Sequence, residues 1–370
     1  MKKIVIPIIA LLCVAPVLLI FCTPAKHPDE KKWGDMLTAT NIYMQQHLWN
    51  SQTHNFVRRA DRPSTPGSDA WGITIELDAC AYMIEDSMKT ELHDYFISSS
   101  SLYERTSGNL GARILARQGD RIYIGGDDDM QWCAALAHCY LVTKDSEYLT
   151  AATSVFKALV DLGFWQDGAS NGWSWNSADP RPNGVSTAYG ALAAARLYQA
   201  TMDSSYKKWA ARSLDALETP QVGFFPRDMM VGASAAITVF EVSKDNAFKE
   251  RALELEDSAV AGGLALLKYE GTGERNPTDI GDLADGLYNF YRVTHNEKYK
   301  SLADSFINFF VGDRKIEDII KHGFYSRYDL KGVPILIGSY LGVPCSVAFL
   351  PEVAEMQKLF AIAAKAEKKL

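Results

Sequence analysis

The stretch ALAAARLYQATMDSSYKKWAARSLDAL, residues 191–217, joins two amphipathic helices through a short turn that is followed by an aromatic residue, Tyr206. In both halves the apolar residues recur three and four positions apart, which is one face of an α-helix. The sequence therefore predicts a helical hairpin that is repeated along the chain. The same features return, with Tyr148, Phe248 and Tyr299 as the aromatic residues, at residues 135–159, 234–259 and 286–310.

The connections between these hairpins are long, whereas the turns inside them are short. Further helical segments upstream and from Pro334 onward bring the expected total to eleven or twelve, and no alternating run is long enough to predict a sheet. Repeated hairpins stack into an open superhelix or close into a ring. Alternating long and short connections suit a ring with its site at one end, so we predict an all-α (α/α)6 barrel over residues 33–370. The long connections are residues 58–69, 102–126, 164–183, 219–228 and 269–281.

The composition is that of a folded, acidic protein. Hydrophobic residues make up 47% of the 370 residues and charged ones 22%, which argues against a disordered chain. The formal net charge of -7 and the lack of a Lys/Arg-rich run argue against a nucleic-acid partner. Eight tryptophans supply flat apolar faces of the kind that bind sugars.

Residues 1–22 have the pattern of an export signal. Two lysines precede an apolar run from Ile4 to Phe21, as in a signal peptide or signal anchor. Cys22 stands where a bacterial lipoprotein is acylated, although such sites usually carry a small residue in place of Phe21, so a lipid anchor through Cys22 and a plain signal are equal alternatives. Residues 23–32 are then a linker, and the protein is expected in the periplasm or at the cell surface.

The cysteines of the body show no metal-ligand pattern. Cys80, Cys133, Cys139 and Cys345 stand singly in apolar surroundings, and no Cys/His pair has metal-ligand spacing. We therefore predict buried free thiols and neither a metal nor an organic cofactor. His138, which falls mid-helix beside the apolar face, is predicted to be a buried structural histidine.

Three consecutive aspartates, Asp127, Asp128 and Asp129, end a long connection and begin an apolar helix. Carboxylates there stabilise a helix start by about 0.3–1 kcal/mol each, but one or two suffice. A calcium loop would space its ligands at alternate positions around a glycine turn, and this run does not. The third alternative is a pair for retaining glycoside cleavage, which needs carboxyl groups about 5–5.5 Å apart; neighbouring residues, with Cα atoms about 3.8 Å apart, can reach that separation. Crowding like charges also raises one pKa and supplies a protonated acid.

The motif DDMQW, Asp128 to Trp132, at the start of a barrel helix resembles glycoside hydrolase family 76, the endo-α-1,6-mannanases. The resemblance extends to ALAHCYLVTKDSEYL, NGWSWN and ARLYQATMDSSY and covers about residues 35–310. It implies that Asp128 is the nucleophile and Asp129 the general acid/base, whereas Asp127 has no assigned role and caps the helix or tunes its neighbours' pKa. Where the family has K-N-x-x-x-N, T-Y-N-Q-G and F-K-G, this chain has RPNGVSTAYG, DMMVG and ADG.

Several further residues are candidates for binding the sugar. Trp173 and Trp175 have polar neighbours in a long connection and suit stacking on a pyranose, whereas Trp165 is expected in the core. Arg227 and Asp228 end another long connection, where they bind hydroxyl groups or form a salt bridge or a cap. The substrate-binding candidates are Trp71, Asp127, Trp173, Trp175, Asn183, Arg227 and Asp228.

The sequence thus predicts an exported, monomeric, retaining endo-α-1,6-mannanase that acts on α-mannan through Asp128 and Asp129. An (α/α)-barrel glycosidase of another linkage specificity is the nearest alternative. A non-catalytic glycan-binding protein of the cell surface is the alternative from another class, and it would bind without turnover.

Overall fold

The computed structural model describes most of the chain from residue 32 onward. The signal segment, Cys22 and Cys345 lie outside the described residues. No helix within the described part is both long and apolar enough to span a membrane. The described ranges are 32–57, 59–61, 70–100, 103–106, 109–118, 121–168, 171–218, 225–268, 277–312, 314–325, 328, 339–340, 343–344, 348 and 350–368.

Thirteen α-helices form within these ranges, and a π-helical turn, Met44–Leu48, continues the first of them. The helices are α1 (Lys32–Tyr43), α2 (Ala70–Glu85), α3 (Leu92–Ser100), α4 (Gly126–Thr143), α5 (Ser146–Asp161), α6 (Gly184–Thr201), α7 (Ser204–Leu217), α8 (Pro226–Ser243), α9 (Asn246–Lys268), α10 (Pro277–Thr294), α11 (Glu297–Val311), α12 (Ile316–His322) and α13 (Leu350–Lys368).

Six of the helices form a closed inner ring. In order around the ring they are α2, α4, α6, α8, α10 and α13, and α13 returns to contact α2. An outer helix packs on each member: α3 on α2, α5 on α4, α7 on α6, α9 on α8, α11 on α10 and α1 on α13. The predicted (α/α)6 barrel of helical hairpins is therefore confirmed.

The inner helices run parallel to one another. Glu352, at the start of α13, accepts a hydrogen bond from the backbone N–H of Thr278 at the start of α10 (3.1 Å). Near the other end of α13, Lys365 pairs with Glu85 at the end of α2. All six N-termini therefore lie at one end of the barrel together with the long connections, which we call the loop end. The C-termini and short turns lie at the opposite end, the turn end.

The four short turns share one hydrogen-bonding pattern. In the first, the Thr143 hydroxyl accepts from the backbone N–H of Asp145 (3.1 Å), whose carboxylate accepts from the N–H of Glu147 (2.9 Å). Between them Lys144 adopts a left-handed backbone, φ 63°. The same side-chain bonds recur at residues 201–205, 243–247 and 294–298. Asp145, Asp203 and Asp245 therefore cap the second helix of their hairpins.

Short antiparallel strands occupy several connections, and the sequence analysis did not predict them. The ten-residue strand NLGARILARQ does not alternate polar and apolar residues strictly, and the others are too short for periodicity to reveal. One sheet contains β3 (Tyr103–Thr106), β4 (Asn109–Gln118) and β5 (Arg121–Ile124), and another β6 (Trp165–Gln166), β7 (Gly172–Asn176) and β8 (Asp179–Pro182). Two-stranded pairs are β1 (Trp49–Asn50) with β2 (Asn55–Phe56) and β9 (Ser339–Tyr340) with β10 (Val343–Pro344).

The inner helices are buried along most of their length because outer helices cover one side and the ring closes on the other. Cys80, Cys133 and Cys139 are buried free thiols, as predicted. The predicted burial of His138 is also confirmed: its Nδ1 lies 2.7 Å from Oδ1 of Asp78. Trp165 packs against the core as expected.

Candidate active site

The three aspartates occupy the first turn of α4 at the loop end. Asp127 and Asp128 are half-buried, whereas Asp129 is completely buried. Gln131 lines the interior of the barrel, and Asp127 lies four residues before it on the same helix face. Asp129 lies four residues before Cys133, whose thiol donates to Ala152 O of the outer helix α5 (3.2 Å). The three carboxylates therefore start from different sides of the helix.

Strand β7 is fixed to the start of this helix. The backbone N–H of Ile124 donates to the Ser177 hydroxyl (2.9 Å), and the N–H of Ser177 donates to Ile124 O (2.9 Å). A Cβ added at Gly126 would lie 2.2 Å from the backbone oxygen of Ser174. Glycine at this position is thus required for the close approach of β7 to the aspartates.

Trp175 lies at the loop end beside the aspartates, as predicted. Its indole N–H donates to Oδ2 of Asp127 (3.1 Å), and 47% of the residue is exposed. The structure thus brings together Asp127 and an aromatic ring that is open to solvent.

Trp173 lies outside the cleft, which corrects its assignment as a sugar-binding residue. None of Trp173 is exposed, and its indole N–H donates to the Ser213 hydroxyl of α7 (3.0 Å). The ring packs against Trp165 and Trp209 in the core. Residues two apart in a regular strand share a face, but the pairing of β7 with β8 is irregular between Ser174 and Asn176. At this irregularity Trp173 faces inward and Trp175 faces outward.

Asn183 and Trp71 both lie at helix starts at the loop end. The Asn183 side-chain oxygen caps α6 by accepting from the backbone N–H groups of Val185 (2.9 Å) and Ser186 (3.3 Å). Trp71, in the first turn of α2, is partly buried against the core. Both candidates therefore lie at the loop end, but the Asn183 oxygen is already engaged in capping.

Arg227 and Asp228 begin α8 at the loop end. Their side chains pair, with 3.4 Å between Nε and Oδ1, and Asp228 also accepts from the backbone N–H of Phe225 (3.3 Å). Burial raises the pKa of Asp228 to about 6, against the opposing effect of Arg227. The salt bridge and the cap that the sequence left as alternatives are both present. Phe225 is itself 62% exposed and adds an aromatic ring that the sequence analysis missed.

Below the helix starts, the interior of the barrel holds a network of buried charges. Lys358 of α13 lies 3.1 Å from Glu355 Oε1, 3.3 Å from Asp285 Oδ2 and 3.8 Å from Asp282 Oδ1. Tyr189 donates from its hydroxyl to Asp282 Oδ1 (2.8 Å). These residues come from α6, α10 and α13, so no local sequence pattern could have grouped them.

Glycine makes room for one member of this network. A Cβ at Gly281 would lie 2.2 Å from Oε1 of Glu355, so glycine allows this carboxyl to pack against α10. Burial raises the pKa of Glu355 to about 8 against the opposing effect of Lys358, and Asp282 and Asp285 raise it further. A cavity of only about 20 Å³ remains among these side chains, which is room for about one water molecule.

A second ionic network lies deeper in the barrel. Asp78 accepts from the Arg196 guanidinium (2.8 Å) and contacts His138. Burial favours the neutral form of Asp78, but Arg196 and His138 outweigh it and hold the pKa well below its usual range. For metals, no group of three His, Cys, Asp or Glu side chains in the described residues has the arrangement of a metal site.

Adjacent carboxylates and exposed aromatic rings at the loop end of an (α/α)6 barrel form a site that suits glycoside cleavage. Residues 67–237 match the model described as Glycosyl hydrolase family 76, which identifies the protein as a glycoside hydrolase. The resemblance seen in the sequence is therefore confirmed. A comparison with curated proteins gave no match.

Solved structures of similar fold include family 76 enzymes. One from a bovine Bacteroides thetaiotaomicron strain has a TM-score of 0.70 at 15% identity, covering 90% of this chain and 78% of that one. An inactive variant of an α-1,6-mannanase from Salegentibacter sp., with two consecutive aspartates replaced by alanine and α-1,6-mannotetrose bound, has a TM-score of 0.66 at 13% identity, covering 90% and 99%. A D-mannose isomerase also matches, with a TM-score of 0.65 at 12% identity and coverage of 93% and 100%. At these identities the likeness shows the fold.

Proposed function

We propose that the protein is a retaining endo-α-1,6-mannanase in which Asp128 is the nucleophile and Asp129 the general acid/base. The observation that carries this proposal is the pair of adjacent aspartates in the first turn of α4, at the loop end and inside the family 76 segment. The Salegentibacter enzyme supports it, because replacing two consecutive aspartates gave an inactive variant that was obtained with α-1,6-mannotetrose.

In this mechanism the Asp128 carboxylate attacks the anomeric carbon while the Asp129 carboxyl gives its proton to the departing glycosidic oxygen. The ionised Asp129 then takes a proton from water, which attacks the same carbon and releases Asp128. Two inversions leave the α configuration unchanged. The first-turn position favours the ionised nucleophile through the positive end of the helix dipole.

Asp127 and Trp175 form the substrate platform in this proposal. The hydrogen bond from the indole to Asp127 fixes the ring beside the carboxylates, and the exposed half of the ring is free to stack on a pyranose. Asp127 is thus a positioning residue that acts through Trp175. Phe225, at the start of α8, lies at the same end and supplies a second exposed ring.

Linear α-1,6-mannan is the substrate that tests the proposal. Asp128→Asn and Asp129→Asn are each expected to abolish hydrolysis, and NMR of the first products of the wild-type enzyme should show the α anomer. Early β product, or full activity in either variant, would contradict the mechanism. Binding of mannan without turnover by the wild-type protein would instead support the non-catalytic alternative, and hydrolysis of other polysaccharides alone would support a different linkage specificity.

The two roles are separated by an aryl mannooligosaccharide with a good leaving group. Such a leaving group needs no proton, so Asp129→Asn should still release the phenol, whereas Asp128→Asn should not. If Asp127→Asn instead of Asp129→Asn shows this pattern, Asp127 is the acid/base. We further propose that the protein is exported, by a plain signal or a lipid anchor at Cys22, and acts as a monomer; fractionation and labelling with a lipid precursor test the first, and light scattering tests the second.

A further inference from the structure

A large cavity lies at the turn end of the barrel, away from the aspartates. Its volume is about 630 Å³, within the roughly 300–1,000 Å³ that is typical of small-molecule sites. The last turns of the inner helices line it, including Leu141 of α4. Leu141 is thirteen residues beyond Asp128 on the same helix, so the two lie about 20 Å apart along its axis. This cavity is therefore not part of the proposed catalytic cleft.

The two buried ionic networks separate the cavity from the loop end. Arg196 lines both this cavity and the small one above it, and its guanidinium is held by Asp78 and by Ala134 O (3.1 Å). Lys358 of α13 lies at the same depth as Arg196, since both line the small cavity, and pairs with Asp285. Because only about 20 Å³ is left among these side chains, a molecule larger than water must enter from the turn end.

Two of the cationic side chains that line the cavity are paired with carboxylates. Arg292 pairs with both oxygens of Glu241, the longer bond being 2.7 Å, and Lys365 pairs with Glu85. The negative ends of the inner helices point toward the cavity and disfavour an anion, while the cationic side chains of its wall disfavour a cation. The ligand that fits this balance is neutral.

The remaining wall offers hydroxyl groups, amides and aromatic rings. Asn289 bridges the Ser234 hydroxyl (2.8 Å) and Thr238 Oγ1 (3.2 Å). The Gln199 amide makes no hydrogen bond to the part of the chain that the structure describes, so it can donate to one ligand hydroxyl and accept from another. Tyr82 and Tyr291 supply ring faces. The Asn289 amide is fully engaged by Ser234, Thr238 and Arg292, so Gln199 is the amide that is open to a ligand. An amide that both donates and accepts, next to tyrosine side chains, matches the polar edges and apolar faces of a sugar ring.

We propose that this cavity is a second, non-catalytic site that binds a neutral polyhydroxylated ligand of one or two sugar rings, entering from the turn end. It goes beyond the proposed hydrolase activity and does not depend on it. A site of this kind places a small sugar, such as a hydrolysis product, within one barrel length of the cleft.

Calorimetric titration of the full-length chain with mannose and with α-1,6-mannobiose tests the site. Leu141→Trp places an indole ring in the cavity, where it would overlap a bound sugar, and is expected to remove one binding site per chain while leaving hydrolysis of α-1,6-mannan unchanged. Gln199→Leu keeps the size of the side chain but removes the free amide; it should weaken the same site about 5- to 10-fold, the value of one hydrogen bond. Trp175→Ala, the matched control at the loop end, should leave this site intact.

Unchanged stoichiometry and affinity in both Leu141→Trp and Gln199→Leu would overturn the proposal. Thermal unfolding of each variant shows whether it is folded, and Gln199→Leu decides the matter if Leu141→Trp is not. The mannanase function and the turn-end sugar site are tested independently. Absence of mannan hydrolysis by the wild-type chain overturns the mannanase function, whereas the number of binding sites lost in Leu141→Trp tests only the sugar site.

Discussion

Replacing Asp127 by alanine isolates the hydrogen bond that fixes Trp175. A bond from a neutral donor to a carboxylate contributes about 1.5–3 kcal/mol when it is shielded from water. Trp175 is 47% exposed, so water competes for both partners and the contribution should fall to about 1 kcal/mol. If the ring binds substrate equally in the ground and transition states, this loss raises KM about fivefold and leaves kcat unchanged.

The assay is steady-state hydrolysis of linear α-1,6-mannan by four proteins that form a double-mutant cycle. Trp175→Phe keeps an aromatic face and lacks the indole N–H, so Asp127→Ala should add little to it, with a coupling of about 1 kcal/mol. Asp127→Asn retains an acceptor oxygen and should stay near wild type. Additive effects of the two changes would refute the platform. A fall in kcat of about 100-fold at constant KM would instead place Asp127 in the chemical step.

Two further predictions concern packing and buried charge. Gly126→Ala puts a methyl group 2.2 Å from Ser174 O, and should destabilise the protein by about 1–3 kcal/mol and raise KM; Gly34→Ala in α1, with nothing within 4 Å of the added Cβ, is the control and should be neutral or stabilising by up to about 1 kcal/mol. Equal denaturant midpoints for the two variants would contradict the docking of β7. Asp78→Ala leaves Arg196 and His138 without their carboxylate and should cost about 3–5 kcal/mol. Because Arg196 and His138 lower the pKa of Asp78 despite its burial, its stabilisation is present above the unfolded-state pKa near 4 and is lost as pH falls through the folded-state value. Urea unfolding of wild type and Asp78→Asn between pH 7 and 3 measures this, and a gap in stability that stays constant over that range would refute it.

The barrel could be predicted from the sequence because each of its hairpins repeats a local signal. Helical periodicity and the Thr/Ser–x–Asp/Asn turn are contained within about 25 residues, and every one of the four predicted turns forms. The two tryptophans of NGWSWN could not be told apart in this way. Recognition of β7 as a strand would not have separated them, because residues two apart in a regular strand share a face. The irregular pairing between Ser174 and Asn176, which accompanies the outward position of Trp175, has no signal in the sequence.

The buried networks were beyond the reach of a single sequence for another reason. Asp78, Arg196 and Lys358 come from three different inner helices and meet only when the ring closes. Charged residues inside apolar helices were visible, but their partners on other helices are distant in sequence: Asp78 lies 60 residues from His138 and 118 from Arg196. A local pattern does not specify contacts at that separation.

The parallel ring also explains why the two ends of the barrel differ in charge. Six helix N-termini gather at the loop end, and the acidic first turns of α4, α8 and α13 lie there. The basic last turns of α10 and α13, which contain Arg292 and Lys365, lie at the turn end. Acidic side chains near helix N-termini and basic side chains near helix C-termini interact favourably with the helix dipoles, and each such charge stabilises the fold by about 0.3–1 kcal/mol. A nucleophilic carboxylate must be ionised to attack, and the positive helix ends at the loop end favour its ionised form. The turn end lacks this stabilisation of an anion, which agrees with the neutral ligand proposed for its cavity.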